Sequence, residues 1–307
     1  MSIYHFQEGL PPFRKAVVTI GSFDGVHLGH KKILETIVAK AREIGGESIV
    51  VTFDPHPRKV IRPDLPIHMI TSNKEKYEQI IAAGVDHIIE VPFTRQFSLL
   101  SAEEYVHDFL LEKINPHAVI IGYDHHFGHD REGDIRLLKS MAGSRVEIIE
   151  IPEQLIDDAN VSSTKIRKAV EQGDVALAES MLGRPYRFSG LVIHGKKLGR
   201  KIGFPTANLK PDFDDQLLLP SGIYAVYVRY LDHTYLGAMS IGKNPTVTNE
   251  EKLHYEVYIL DFDEDIYGQE LTILFKDKIR EEKKFHHLDD LIVQIRNDVS
   301  AVRNLLA

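Results

Sequence analysis

The stretch Gly21-Ser22-Phe23-Asp24-Gly25-Val26-His27-Leu28-Gly29-His30 decides how the first half of the chain folds. An apolar run, Ala16-Val17-Val18-Thr19-Ile20, leads into it and reads as a strand buried on both faces. After it, Leu28, Ile33, Leu34, Ile37, Val38 and Ala41 recur at helical spacing. The stretch is therefore a strand-to-helix turn, the place where α/β sheets bind ligands. Gly21 and Gly25 let backbone come close to a ligand, and the N–H groups that open the helix favour a phosphate. His27 and His30, three residues apart, share a face of a first helical turn and can both donate to one phosphate. The plain alternative is a helix start with two solvated histidines.

Outward from this turn the pattern repeats. Ser48 to Phe53 is a second buried strand, ending in Asp54-Pro55-His56-Pro57, a loop that two prolines hold extended. Ser72-x-x-Glu75 and Ser101-x-x-Glu104 are capping boxes that open helices to about Ala83 and Ile114. His87 to Val91, Ala118 to Ile121 and Val146 to Ile151 are three more strands. Strands alternating with helices predict a parallel, Rossmann-like sheet with its functional loops at the C-terminal strand ends. Two further loops there carry unusual residues: Gly122-Tyr123-Asp124-His125-His126-Phe127-Gly128, and Val161-Ser162-Ser163-Thr164-Lys165-Ile166-Arg167. Small hydroxyls at a helix start, with Arg167 one turn in, suit polyphosphate oxygens, although an ordinary Ser/Thr cap would look the same. His125, His126 and His129 lie close to Asp124 and Asp130, but their spacing fits no standard zinc pattern.

The second half has a different rhythm. Leu155 to Gly183 reads as a helical connector, which puts the domain boundary at 1–183 and 184–307. Phe188 to Ile193, Ile223 to Tyr230, Tyr235 to Ile241, His254 to Leu260 and Leu271 to Phe275 read as closely spaced strands, which predicts a small antiparallel barrel. A final helix carries Leu288, Leu291, Ile292, Ile295, Val299 and Val302 on one stripe. Gly190 to Lys196 has the spacing of a phosphate-binding P-loop, but Lys197 replaces the Ser or Thr such a loop needs, and the spacer continues a β pattern. The better candidate is Gly203-Phe204-Pro205-Thr206-Ala207-Asn208. Thr206 and Asn208, two apart, point to one side of an extended segment and offer hard oxygens suited to Mg²⁺ on a nucleotide. The run Lys196, Lys197, Arg200 and Lys201 would attract phosphates; an edge strand with solvated lysines is the alternative.

The chain has 307 residues, a formal net charge of −8 and no cysteine, with a sequence pI near 6.1. Nothing here suggests nonspecific nucleic-acid binding or thiol chemistry. No apolar run approaches the ~18 residues of a membrane span, and no secretory signal is visible. The expectation is a cytoplasmic enzyme of two domains, with no membrane or nucleic-acid partner.

The His27-Leu28-Gly29-His30 segment resembles the His-x-Gly-His signature of nucleotidyltransferases. Taken together, the motifs resemble those of the bifunctional riboflavin kinase/FMN adenylyltransferases, the bacterial FAD synthetases, in order and over nearly the whole chain. In the first half the likeness rests on Gly21 to His30, Thr52 to Pro57 and Ser162 to Arg167. In the second it rests on Gly203 to Asn208, Gly242-x-x-Pro-Thr246, and Glu256 ahead of Asp261-Phe262 and Tyr267-Gly268. The resemblance implies that the second domain phosphorylates riboflavin to FMN with ATP, and that the first transfers AMP from ATP to FMN, giving FAD and pyrophosphate, with Mg²⁺ in both steps. It implies ATP contacts at Gly21, Ser22, Phe23, Asp24 and Gly25, with His27 and His30 at the α-phosphate and Ser163, Thr164 and Arg167 at the β/γ end. Asp54, Pro55, His56, Pro57 and Asp124 would help place FMN. In the kinase, Gly195, Lys201, Gly203, Phe204, Pro205, Thr206 and Asn208 would hold Mg·ATP, with Thr206 and Asn208 at the metal. Glu256 would act as general base at the flavin, and Arg280 would lie in a flap over it. Two positions depart from the family pattern: Ser22 stands where Asn is usual, and His125 where Phe is usual.

Overall fold

Two hydrophobic patterns give two compact units, residues 1–163 and 164–307. The computed structural model describes residues 2–152, 161–195, 198–245 and 251–306.

In the first unit six strands form one parallel sheet: β1 (Ser2–His5), β2 (Ala16–Ile20), β3 (Glu47–Asp54), β4 (His87–Pro92), β5 (Ala118–Gly122) and β6 (Glu147–Ile151). Their order is β1-β4-β3-β2-β5-β6. The chain steps from β2 out through β3 to β4, then returns to the other side of β2 for β5 and β6. Strand order therefore reverses at β2, and the crevice outside the carboxyl ends of β2 and β5 is where such a sheet takes a ligand. The apolar runs are unbroken because both faces are covered. Val18, Ile20, Ile49 and Val51 feed one core cluster, and Val17, Val50, Ile88 and Ile120 the other. The edge strand β1 has no such run. It is mostly exposed and ends in a His5–Glu90 contact of 3.0 Å, so no period announced it.

Helix α1 (Leu28–Ile44) buries Leu34, Ile37, Val38 and Ala41 and stops at Gly45, whose φ of 63° is left-handed. Leu28 stays 37% exposed, so it is outside the stripe that the spacing suggested. The segment after Asp54 is not extended throughout, because Pro57 opens the short helix α2 (Pro57–Ile61). Next come α3 (Asn73–Ala82), α4 (Ala102–Glu104), continued by π-type turns over Tyr105–Ile114, and α5 (Ile135–Ala142). The Ser101–Glu104 box closes reciprocally at 3.1 and 2.8 Å. At α3 the Ser72 hydroxyl accepts from the Glu75 N–H at 3.1 Å.

The second unit begins with the rest of α6 (Ser163–Glu171) and α7 (Val175–Leu182). Residues 164–183, grouped above with the first half, belong by contact to this unit: Lys276 binds both carboxylate oxygens of Glu179 at 2.7 Å. Six antiparallel strands follow: β7 (Tyr186–Ile193), β8 (Thr206–Pro211), β9 (Gly222–Tyr230), β10 (His233–Pro245), β11 (Glu251–Ile259) and β12 (Glu270–Arg280). They close into a barrel in the order β10-β11-β8-β7-β12-β9. Val226, Val228, Met239, Val257, Ile273 and Phe275 fill its interior. Gly190 to Ile193, with P-loop-like spacing, are simply part of β7. The short helix α8 (Leu198–Lys201) precedes β8, and α9 (Leu288–Leu306) lays Val302 and Val299 over Ala225 and Leu260 outside the barrel.

Candidate active sites

In the first unit the turn after β2 is tightly fixed. The Gly21 N–H donates to the Val51 carbonyl at 3.0 Å, and the Thr52 hydroxyl donates to the Ser22 carbonyl at 3.2 Å. Phe23 (φ 51°) and Val26 (φ 38°) are left-handed and buried, a conformation that costs roughly 1–3 kcal/mol at each. Gly25 (φ 85°) completes the turn, and a Cβ there would lie 3.1 Å from Ile70. Asp24 is turned inward and 1% exposed, accepting from the Ile70 N–H at 3.0 Å and the Thr71 N–H at 3.2 Å. Its carboxylate thus staples the turn to the segment before α3. The Ser163 hydroxyl donates to the Asp24 carbonyl at 3.0 Å.

His27 is the N-cap of α1, one residue before the helix proper. Its Nδ1 accepts from the His30 N–H at 3.3 Å, which leaves the ring proton on Nε2. The His27 and His30 rings stack 3.7 Å apart at 15°. Burial, reinforced by His27, holds the His30 pKa well below the ordinary histidine value, so this ring is neutral at pH 7. Its Nδ1 is buried and has no hydrogen-bond partner among the described residues. A buried polar atom of this kind, at a helix N-terminus, is poised for a ligand oxygen.

Beside the turn lies a cavity of about 840 Å³ at the point where strand order reverses. Ile20, Gly21 and Ser22 line one side, and His125 to Arg131 another. Phe53, Phe93, Phe97 and Tyr105 give it aromatic walls, and Arg58, Arg62, Arg95 and Arg131 give it positive charge. These residues come from β3, α2 and the residue after it, the segment after β4, the π-type turns and the segment after β5, and they follow no local spacing. His56 and Pro57 also line the cavity, whereas Asp54, Pro55 and Asp124 are exposed and do not. His125 is half-buried 6.0 Å from Phe127, and burial lowers its pKa to about 4. It is therefore a neutral aromatic ring at pH 7.

In the barrel, Glu256 on β11 stands opposite Asn208 on β8, and Tyr258 opposite Thr206. Tyr255, Val257 and Ile259 point inward and are at most 5% exposed, so Glu256 lies on the other face with Asn208 and Thr206. The Thr206 hydroxyl donates to the Glu256 carboxylate at 3.1 Å. Gly195 packs against Asn208 so closely that a Cβ there would lie 2.3 Å from the amide nitrogen. A cleft of about 370 Å³ is lined by Arg200, Pro205, Thr206, Phe262 and Asp263 to Tyr267. Lys201, Gly203 and Pro205 are exposed, and Phe204 meets Tyr258 edge-on at 5.5 Å. Lys196, Lys197 and Thr246 fall outside the described residues.

The comparisons follow this division. The FAD synthetase family model matches residues 11–165, and the riboflavin kinase model matches residues 182–306. A bifunctional riboflavin kinase/FMN adenylyltransferase from Listeria monocytogenes is 39% identical over 292 residues, 95% of this chain and 92% of that one. One from Pseudomonas fluorescens is 38% identical over 299 residues, 97% of this chain and 95% of the relative. The chain belongs to the bifunctional riboflavin kinase/FMN adenylyltransferase family. A crystal structure from Streptococcus pneumoniae, described as a macrolide-efflux protein, matches with a TM-score of 0.88 at 32% identity, covering 99% of this chain and 98% of that one. Among the described residues no helix is long and apolar enough to cross a membrane.

As a member of this family the chain carries both activities of FAD biosynthesis, riboflavin kinase and FMN adenylyltransferase, and uses ATP as co-substrate. Two residues of its motifs make bonds within the fold. Asp24 is the staple already described. Arg280, at the end of β12, forms a bidentate pair with Asp298 of α9 at 2.8 and 2.7 Å and also donates to the Glu281 carbonyl at 2.9 Å. Its guanidinium ties the end of β12 to the final helix. Thr164 and Arg167 lie on α6 in the second unit.

Proposed function

We propose that the two reactions run at the two sites just described. In the first unit the 5′-phosphate of FMN attacks the α-phosphorus of ATP and pyrophosphate leaves. His27 and His30 donate to the α-phosphate oxygens as negative charge concentrates there, the kind of contact worth roughly a hundredfold or more in rate. The aromatic walls and arginines of the 840 Å³ cavity suit a flavin ring and its phosphate. Gly21 to Gly25 supply a close backbone approach for the nucleotide. Ser163, tied to the Asp24 carbonyl at 3.0 Å, would receive the leaving pyrophosphate.

In the second unit the riboflavin 5′-hydroxyl attacks the γ-phosphorus of ATP, its proton passes to Glu256, and ADP leaves. Thr206 hydrogen-bonds Glu256 and so orients the carboxylate beside Asn208. Hydroxyl and amide oxygens on one face are hard donors that fit Mg²⁺, and Thr206 and Asn208 would hold the ion with the nucleotide phosphates. When bound there, Mg²⁺ would neutralise phosphate charge. Soluble flavin and ATP as substrates fit a cytosolic enzyme, and separate sites fit a domain boundary in the connector between 164 and 184.

The observation that carries this reading is that His27, His30 and Ser163 fall in one compact unit, and Thr206, Asn208 and Glu256 in the other. The test is chromatography of riboflavin incubated with ATP and Mg²⁺. FMN should appear first and FAD later. FAD formed only from supplied FMN would leave the barrel without a catalytic role.

A further inference from the structure

Among the described residues Lys76 is the only lysine or arginine that is buried, at 4% exposure. It sits on α3, three residues after Asn73 opens that helix. Its Nζ donates to the Phe53 carbonyl at 3.4 Å, longer than an ordinary hydrogen bond, and stands 5.2 Å from the centre of the Tyr77 ring. An ammonium carries three donors, and burying it with one weak acceptor is costly. Sequence gave no reason for that cost, and none of the roles above uses this residue.

Its surroundings supply one. Phe53 is the residue before Asp54-Pro55-His56-Pro57. Asp24, at the heart of the nucleotide turn, holds the Ile70 and Thr71 N–H groups just ahead of α3. Asp54 on β3, Asp24 in the turn and Glu90 on β4 are the carboxylates whose charge acts on the ammonium, and Tyr77 flanks it on its own helix. We propose that Lys76 is a positioning residue for adenylyl transfer, its buried charge holding the turn at Asp24 and the segment after Phe53 in register with each other. This rests on the placement of that reaction in the first unit. Such a lysine weakens the fold and serves the site. Burial lowers its pKa to about 8, so the holding charge disappears as pH rises through that value.

The test is Lys76→Met in the full chain, which keeps the stem and removes the charge. Adenylylation of supplied FMN should lose at least about tenfold in kcat, while riboflavin phosphorylation by the same molecules stays the same. The thermal transition of the first unit should rise by several degrees, because an underpaired buried charge is gone. The fall of wild-type adenylylation above pH 8 should be missing in the variant. Unchanged kcat, an unchanged pH profile or a lowered transition temperature would each overturn the proposal. His27→Ala, run in parallel, keeps the two ideas apart: full adenylylation in that variant would sink the site assignment itself, whatever Lys76→Met does.

Discussion

Replacing Gly195 by Ala separates the demands of folding from those of phosphoryl transfer. The new Cβ would sit 2.3 Å from the Asn208 amide nitrogen, 2.5 Å from its Cγ and 2.7 Å from its Oδ1. An ordinary contact begins at 3.4 Å, so the amide must retreat by about 1 Å. It is the free end of a short side chain, half-buried on the outer barrel face, and the fold can absorb that motion cheaply. The chemistry cannot, since a 1 Å misplacement of a positioning group costs on the order of 100-fold in rate. Riboflavin phosphorylation should therefore fall by roughly 100-fold, mostly in kcat. FMN adenylylation and the melting temperature should stay near wild type. The assay is initial rate of FMN formation, with FAD formation from supplied FMN as the control on the same preparation. Phosphorylation within about twofold of wild type would show that Asn208 plays no part in arranging the nucleotide.

Two further outcomes follow from burial and packing. His125→Phe should change stability with pH. Between pH 6.5 and about 4 the unfolded chain binds a proton that the folded chain refuses, so wild-type stability falls as pH falls, by up to about 3 kcal/mol at pH 4. The Phe variant should lack that part of the fall, and denaturant unfolding at pH 7 and pH 4.5 measures it. A fragment of residues 164–307 should fold and phosphorylate riboflavin without making FAD. Starting at 184 removes α7, with buried Val175, Ala178, Met181 and Leu182 and the Glu179–Lys276 pair, and should lower the melting temperature by several degrees.

Much of the fold was legible because its signals are periodic. Unbroken apolar runs at Ala16 to Ile20 and Ser48 to Phe53 marked strands covered on both faces, and alternation at Tyr224, Val226 and Val228 marked a barrel wall. Strand β1 was missed because an exposed edge strand carries no period. Strand β8 was read only as an extended segment, since Pro205 and polar Thr206 and Asn208 mask its pairing with β11. At the sites, residue type was legible and direction was not. Asp24 looks like a ligand in the sequence, yet it turns inward to two backbone N–H groups. His27 caps the helix that the spacing placed it on. Arg280 is claimed by Asp298, eighteen residues later on another element. The cavity's arginines and aromatic residues converge only through the order of the strands, which no local pattern records.

The central claim is two independent active sites on one chain, and crossed variants test it most directly. Give riboflavin, ATP and Mg²⁺, or FMN, ATP and Mg²⁺, to the double variant His27→Ala/His30→Ala and to Glu256→Gln, and follow flavins by chromatography. The histidine variant should accumulate FMN from riboflavin with FAD formation reduced by at least about 100-fold. The Glu256 variant should convert supplied FMN to FAD at nearly the wild-type rate while making little FMN from riboflavin. Loss of both activities together in either folded variant would contradict the account.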